Sequence, residues 1–175
     1  MKYLPVILAA VLAIVGLVGF TGASAETIPP RWDHSCLTWD RDSPLLGAAL
    51  DQYAAVSGIR DCGPAPRGQA DIRMGSTTLI YPTIGNFEAF TDPAQATIYH
   101  AEINIAPAER DNLKVYLHEV GHALGLSHSK EGPAIMQESI NPFIDAHLQP
   151  ADIAAVRSVW PMPVRTRIFL SEISH

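Results

Sequence analysis

The stretch HEVGHALGLSH, from His118 to His128, constrains this chain more than any other. His118 and His122 stand four apart, and in a helix that spacing stacks two imidazoles on one face, one turn apart. Two histidines so placed can share one zinc ion. Glu119 follows the first of them, so its carboxylate can reach a water at that ion without being a ligand. Gly125 breaks the run: a residue free to adopt positive φ ends the helix and turns the chain back. His128 then approaches the same point from outside the helix. Three neutral nitrogens leave the fourth tetrahedral position for water, the pattern of a reactive zinc site rather than a closed structural one. An isolated HExxH arises by chance in ordinary amphipathic helices. Here five residue types stand at set offsets, and three of them are the uncommon histidine.

The remaining elements are read around that helix. It follows Pro107, with Asp111 or Ala108 near its start and Leu113, Tyr116, Leu117, Val120 and Leu124 as its buried stripe. Upstream, His34 to Trp39 reads as a first strand. Ser43 offers an N-cap and Pro44 a first helical position. Leu45, Leu46, Ala49, Leu50, Tyr53 and Val56 recur at helical spacing, and Gly58 stops that helix. The Gly- and Pro-rich segment from Asp61 to Gln69 reads as loop. Asp71 to Met74 is a short strand candidate, and Thr77 to Ile84 a weaker one, broken at Pro82. Thr97 to Ile105 alternates better. Ile98, His100, Glu102 and Asn104 take one face, and Tyr99, Ala101, Ile103 and Ile105 the other. A third helix follows Pro150, with Ile153, Val156, Val159 and Trp160 inward and Pro161 closing it. Strands with one early helix and two late ones predict an α+β domain.

The chain of 175 residues is long enough for one domain. Its N-terminus carries a targeting pattern. Lys2 precedes an apolar run from Leu4 to Phe20, and Ala23-Ser24-Ala25 forms a small-x-small cleavage site. Residues 1–25 are therefore expected to be a signal peptide, with Glu26 first in a secreted, extracellular chain. An uncleaved anchor is the alternative, but the cleavage site argues for removal and against stable membrane insertion. The formal charge of −6 and the lack of any basic run argue against nucleic acid as a partner. An exported chain with two cysteines, Cys36 and Cys62, predicts one disulfide between them. Two free thiols are the alternative.

HEVGHALGLSH resembles the HExxHxxGxxH signature of the metzincin zinc endopeptidases. That group carries a methionine in a turn beneath the zinc, and Met136 in Ala134-Ile135-Met136 matches it. Ser129, directly after the third histidine, is similar to matrixins; astacins would show Glu there, serralysins Pro and adamalysins Asp. The stretch from Leu148 to Pro161 resembles the matrixin C-terminal helix, and Ala70-Asp71-Ile72-Arg73 after the early helix also resembles that domain. The resemblance covers residues 32–161 and implies a zincin-like fold, a twisted, mostly parallel five-stranded sheet with three helices. It implies a catalytic domain over residues 26–160, a loose tail over 161–175, and a cleft with one catalytic Zn2+ at its floor. His118, His122 and His128 would be the ligands, Glu119 the general base and Met136 the turn methionine. On that layout Cys36 and Cys62 fall on neighbouring strands.

The resemblance further implies a monomeric zinc metalloendopeptidase acting on peptide or protein substrates. The competing reading is a non-catalytic secreted zinc-binding module that holds a peptide or protein. Intact Glu119 disfavours it. Departures from the matrixin pattern are visible. Cleavage after Ala25 leaves no room for a propeptide, and the faint cysteine-switch echo Arg60 to Pro66 lies inside the catalytic region. His100-Ala101-Glu102 is weakly similar to one piece of a structural zinc site, but no His-x-Asp precedes it, so no second zinc is expected. Gln137-Glu138 stands where matrixins often have Pro-x-Tyr. His34, His147 and His175 have no motif context and are expected at the surface.

Overall fold

The computed structural model describes residues 31–79, 83–92, 94 and 97–163. The expected signal peptide, the lead over 26–30 and the tail from residue 164 lie outside the described residues. Within them, no helix is long and apolar enough to cross a membrane.

Six strands and three helices follow in order: β1 Arg31–Trp32, β2 Cys36–Asp40, α1 Pro44–Val56, β3 Arg60–Ala65, β4 Ile72–Met74, β5 Gly85–Asp92, β6 Thr97–Ile105, α2 Leu113–Ala123 and α3 Pro150–Val159. A single sheet holds all six strands. β6 takes β5 on one side, antiparallel. On the other side it takes β1 at residues 97–98 and β4 at 101–103, both parallel. β4 passes the sheet to β2, and β2 to β3, again in parallel. The architecture is the expected α+β, mostly parallel sheet, with six strands instead of five. The two-residue β1 is too short to leave a period in the sequence. α1 packs on α2, and Leu46, Ala49, Leu50 and Tyr53 meet Val115, Leu117 and Val120 in one buried core with Leu37, Ile72 and Ile103.

Several local expectations are corrected. The segment after Asp61 is not loop throughout, because residues 60–65 form β3. Pro64 is tolerated there because β3 is an edge strand that need not donate from every N–H. Gly63, at φ +88°, sits in a bulge where the pairing with β2 slips. Thr77–Leu79 and Thr83–Ile84 are not strand, and 80–82 lie outside the described residues. The backbone N–H of Thr77 donates instead to the Asn104 side chain at 2.8 Å. β5, which carries no advance signal, begins just after at Gly85.

The two faces of β6 are also exchanged at one end. Phe90 pairs with His100 but Thr91 with Ile98, so Tyr99 is an extra residue and alternation inverts across it. Ile98 is buried, and Tyr99 is 58% exposed. Pro107 opens a 3-10 turn ending at Glu109, not the helix itself. α2 starts at Leu113, capped by the Asn112 side chain accepting from the Lys114 N–H at 3.2 Å. α3 turns Val156 inward as expected, but the other fully buried side chain on its inner face is Asp152.

Candidate active site

α2 carries His118 and His122 on one face and ends in a two-bond reversal. The Leu126 N–H donates to Gly121 O at 3.0 Å and the Gly125 N–H to His122 O at 2.9 Å. This closing pattern requires a left-handed residue, and Gly125 holds φ +90°. The reversal brings His128 back to the helix. His122 Nε2 lies 3.1 Å from His118 Nε2 and 3.1 Å from His128 Nε2. Among the described residues this is the single group of three metal-type side chains that converge, within 4.8 Å of one another.

The two helical imidazoles have fixed tautomers. His118 Nδ1 is 2.8 Å from Ile135 O, and His122 Nδ1 is 2.8 Å from Leu126 O. A carbonyl only accepts, so each Nδ1 carries the proton and donates. Both Nε2 atoms then present lone pairs toward each other at 3.1 Å, where no hydrogen bond can form between them. A cation between them resolves that repulsion. Tetrahedral zinc with Zn–N near 2.0–2.1 Å requires N···N separations of about 3.3 Å, close to those observed. The residues therefore fit zinc. Burial lowers the pKa of His118 and of His122, in each case its largest cause, and so favours the neutral form a ligand must adopt.

Glu119 is not one of that group. It is buried, lines the same cleft, and packs against the start of β5, where a Cβ on Gly85 would meet its Oε1 atom. Burial raises its pKa to about 7, the value suited to a group that takes and returns a proton near neutrality.

Met136 packs against Gly121 of α2, 1% exposed, its sulfur 3.6 Å from the Tyr53 hydroxyl, which donates to Leu117 O at 3.0 Å. The turn that carries it is held by Asp152. Asp152 Oδ2 accepts from the N–H of Ile135 at 2.9 Å and of Gln149 at 2.8 Å, and Oδ1 from the N–H of Met136 at 3.0 Å. No motif in the sequence assigns Tyr53 or Asp152 to the site. An acid three residues after Gln149 does signal a capped helix start, and the structure has that capping box. Nothing local signals that the same carboxylate reaches back to the turn.

The site opens into a cleft of about 710 Å³. Residues 83–87, residues 138–140 and the side chains of His118, Glu119, His122 and His128 line it together. β5 pairs only with β6, so its second edge is open among the described strands. Cys36 and Cys62 are bonded across β2 and β3 with Cα atoms 5.5 Å apart, which leaves Cys62 no thiolate to cap a metal. His34 and His147 are exposed and join no cluster. His175 lies outside the described residues. His100 stacks on Phe90 at 4.1 Å with Glu102 Oε1 4.0 Å from Nε2, and no third ligand joins that pair among the described residues.

Comparison with known proteins agrees with this geometry. The family model for matrixin peptidases (Peptidase M10) matches residues 37–161, which runs from β2 past the end of α3. A probable matrix metalloproteinase 095L of Invertebrate iridescent virus 3 is 46% identical over 48 residues. That match covers 27% of this chain and 13% of the viral protein. The matched span contains the three convergent imidazoles, the glycine reversal and the buried methionine turn, and the chain belongs to the matrixin family of zinc metallopeptidases.

Proposed function

We propose that this chain is a secreted zinc-dependent endopeptidase in which Glu119 is the general base. The observation that carries the reading is the meeting of three Nε2 atoms at one point, two with their lone pairs directed there, with Glu119 lining the same cleft. His118, His122 and His128 would hold the ion. Zinc held there supplies Lewis acidity that activates water and polarises the scissile carbonyl. Glu119 takes the proton from the attacking water and delivers it to the leaving amine. Its burial supports that role, because a carboxylate with a pKa near 7 can hold the proton between the two transfers.

The open edge of β5 supports an extended peptide held by main-chain hydrogen bonds along the cleft. All four groups come from one chain, which supports action as a monomer. The apolar segment ending in Ala23-Ser24-Ala25 supports export with loss of residues 1–25, leaving a catalytic domain over 26–160 and a tail over 161–175.

Glu119→Gln tests the mechanism. The substitution keeps size and removes the base, while the ligands stay untouched. The variant should retain one zinc per chain by elemental analysis and still capture peptides. Its hydrolysis should fall by roughly 10²–10⁴-fold. Wild-type hydrolysis in the variant overturns the assigned role. Peptide capture without hydrolysis in the wild type favours the binding-module reading instead.

A further inference from the structure

The cleft lining carries a charge that the hydrolytic machinery does not use. Residues 138–140 line the cleft together with residues 83–87 and the three histidines, and Glu138 is exposed there. Among the described residues, the cleft lining holds two carboxylates, Glu119 and Glu138, and no lysine or arginine. Glu119 is buried. Glu138 makes no hydrogen bond or ion pair with any of the described residues, so its carboxylate is available to whatever enters.

The 138–140 stretch is fixed at both ends. On one side, the Met136 N–H is held by Asp152. On the other, the Lys114 ammonium, one helical turn before His118, donates to the carbonyls of Asn141, Pro142 and Ile144 at 3.3, 3.2 and 3.2 Å. Only residues 137–140 lie between those anchors. Glu138 is thus presented from a short, tethered span, and the one nearby lysine is already engaged by three carbonyls. Ile140 and Phe87, both partly buried, line the same cleft and offer apolar surface.

We infer that Glu138 selects substrates with a lysine or arginine side chain flanking the scissile bond. The inference rests on the proteolytic reading above. Side chains of an extended peptide alternate in direction, so a peptide lying along β5 beside the metal site sends alternate side chains toward one face. The one that meets residues 138–140 belongs to a residue next to the cleaved bond. A long basic side chain fits this cleft lining in two ways. Its methylene stem covers Ile140 and Phe87, and its charged end reaches the Glu138 carboxylate. An acidic side chain there would meet an unpaired like charge.

The test is cleavage-site profiling of the mature wild-type, Glu138→Gln and Glu138→Lys proteins on one proteome-derived peptide library. Matched peptides with Lys, Gln or Glu at the enriched position follow. The wild type should enrich Lys and Arg at one position beside the cut. Its kcat/KM ratio for the Lys over the Gln peptide should be about fivefold, the range of a partly exposed ion pair. The ratio should fall to about 1 in Glu138→Gln and favour the Glu peptide in Glu138→Lys, and added salt should reduce it in the wild type. Zinc content checked in each variant keeps the comparison to folded protein. Cleavage without basic enrichment, or enrichment unchanged in Glu138→Gln, overturns the inference and leaves the peptidase reading standing. Failure of the wild type to cut any peptide overturns the peptidase reading itself.

Discussion

Gly121 lies directly over Met136: a Cβ built on Gly121 would overlap the Met136 sulfur. The same Cβ would fall 2.5 Å from the Tyr53 hydroxyl. Neither neighbour can retreat freely, since Met136 is 1% exposed and Tyr53 is held on Leu117 O. Gly121→Ala gains about 1 kcal/mol of helix propensity but overpacks a closed site, at about 1–3 kcal/mol. The expected net loss is about 1 kcal/mol, and Gly121→Val should lose more. Denaturant unfolding with zinc present measures both. Equal stability of the valine variant would show that the methionine turn yields easily.

Removing the Asp152 carboxylate strands three backbone donors. Ile135, Met136 and Gln149 all rely on it, and Asp152 is fully buried. An unsatisfied buried group costs about 1–3 kcal/mol, and the three losses overlap. Asp152→Ala should therefore destabilise the protein by about 3–5 kcal/mol. Asp152→Asn keeps one acceptor and should fall between. Thermal unfolding gives the order. Zinc retention should fall in step, because the Ile135 carbonyl that orients His118 sits in the same turn.

Glu119 makes the metal-free protein respond to pH in a definite direction. Its folded pKa of about 7 lies above its ordinary 4.5, so the fold disfavours the ionised form. The stability it contributes is full below pH 4.5 and is lost as pH rises through 7. His118 and His122 act in the opposite sense, since their lowered pKa values favour the fold above the ordinary 6.5. Comparing Glu119→Gln with wild type cancels the histidines. In chelator at pH 8 the variant should be the more stable by on the order of 2–3 kcal/mol, and the gap should shrink toward pH 4. Chemical denaturation at both pH values reads it, and a gap that grows on acidification contradicts the assignment.

The Cys36–Cys62 bond should matter most for β3. That strand pairs with β2 alone, and the bond closes a sequence separation of 26 residues. The chain-entropy model credits such a loop with about 3–4 kcal/mol. Intact mass should show two hydrogens missing before reduction. Reduction should lower the melting temperature and speed hydrogen exchange in residues 60–65 before α2. Uniform acceleration across both would show that the bond does not act locally.

The parts legible in the sequence are those set by local spacing. The i, i+4 histidines, the reversal at Gly125 and the apolar period of α1 depend on neighbours within a few residues, and each stands where its pattern puts it. What escaped is set by distant partners. Gly63 and Pro64 are loop residues by composition, and β2 alone makes their segment a strand. β5 begins with Gly85 and Asn86, residues poor in strands, and gains its state from β6. The inversion at Tyr99 belongs to the pairing of two strands, so no pattern within β6 carries it. Asp152 looks like a helix-start acid and is one, but two of its three hydrogen bonds reach residues 16 and 17 positions upstream.

The long reach of Asp152 also has a meaning in time. A ribosome makes HEVGHALGLSH before Ile135, and Ile135 before Asp152. The imidazoles thus exist well before the groups that aim one of them. His122 receives its carbonyl within four residues, but His118 depends on a turn that lacks its Asp152 buttress until α3 begins. A half-made chain owns all three imidazoles and lacks the buttress that orients His118. Arrival of the first turn of α3 is therefore the event that finishes the site, and the order of synthesis itself delays it until the domain is nearly whole.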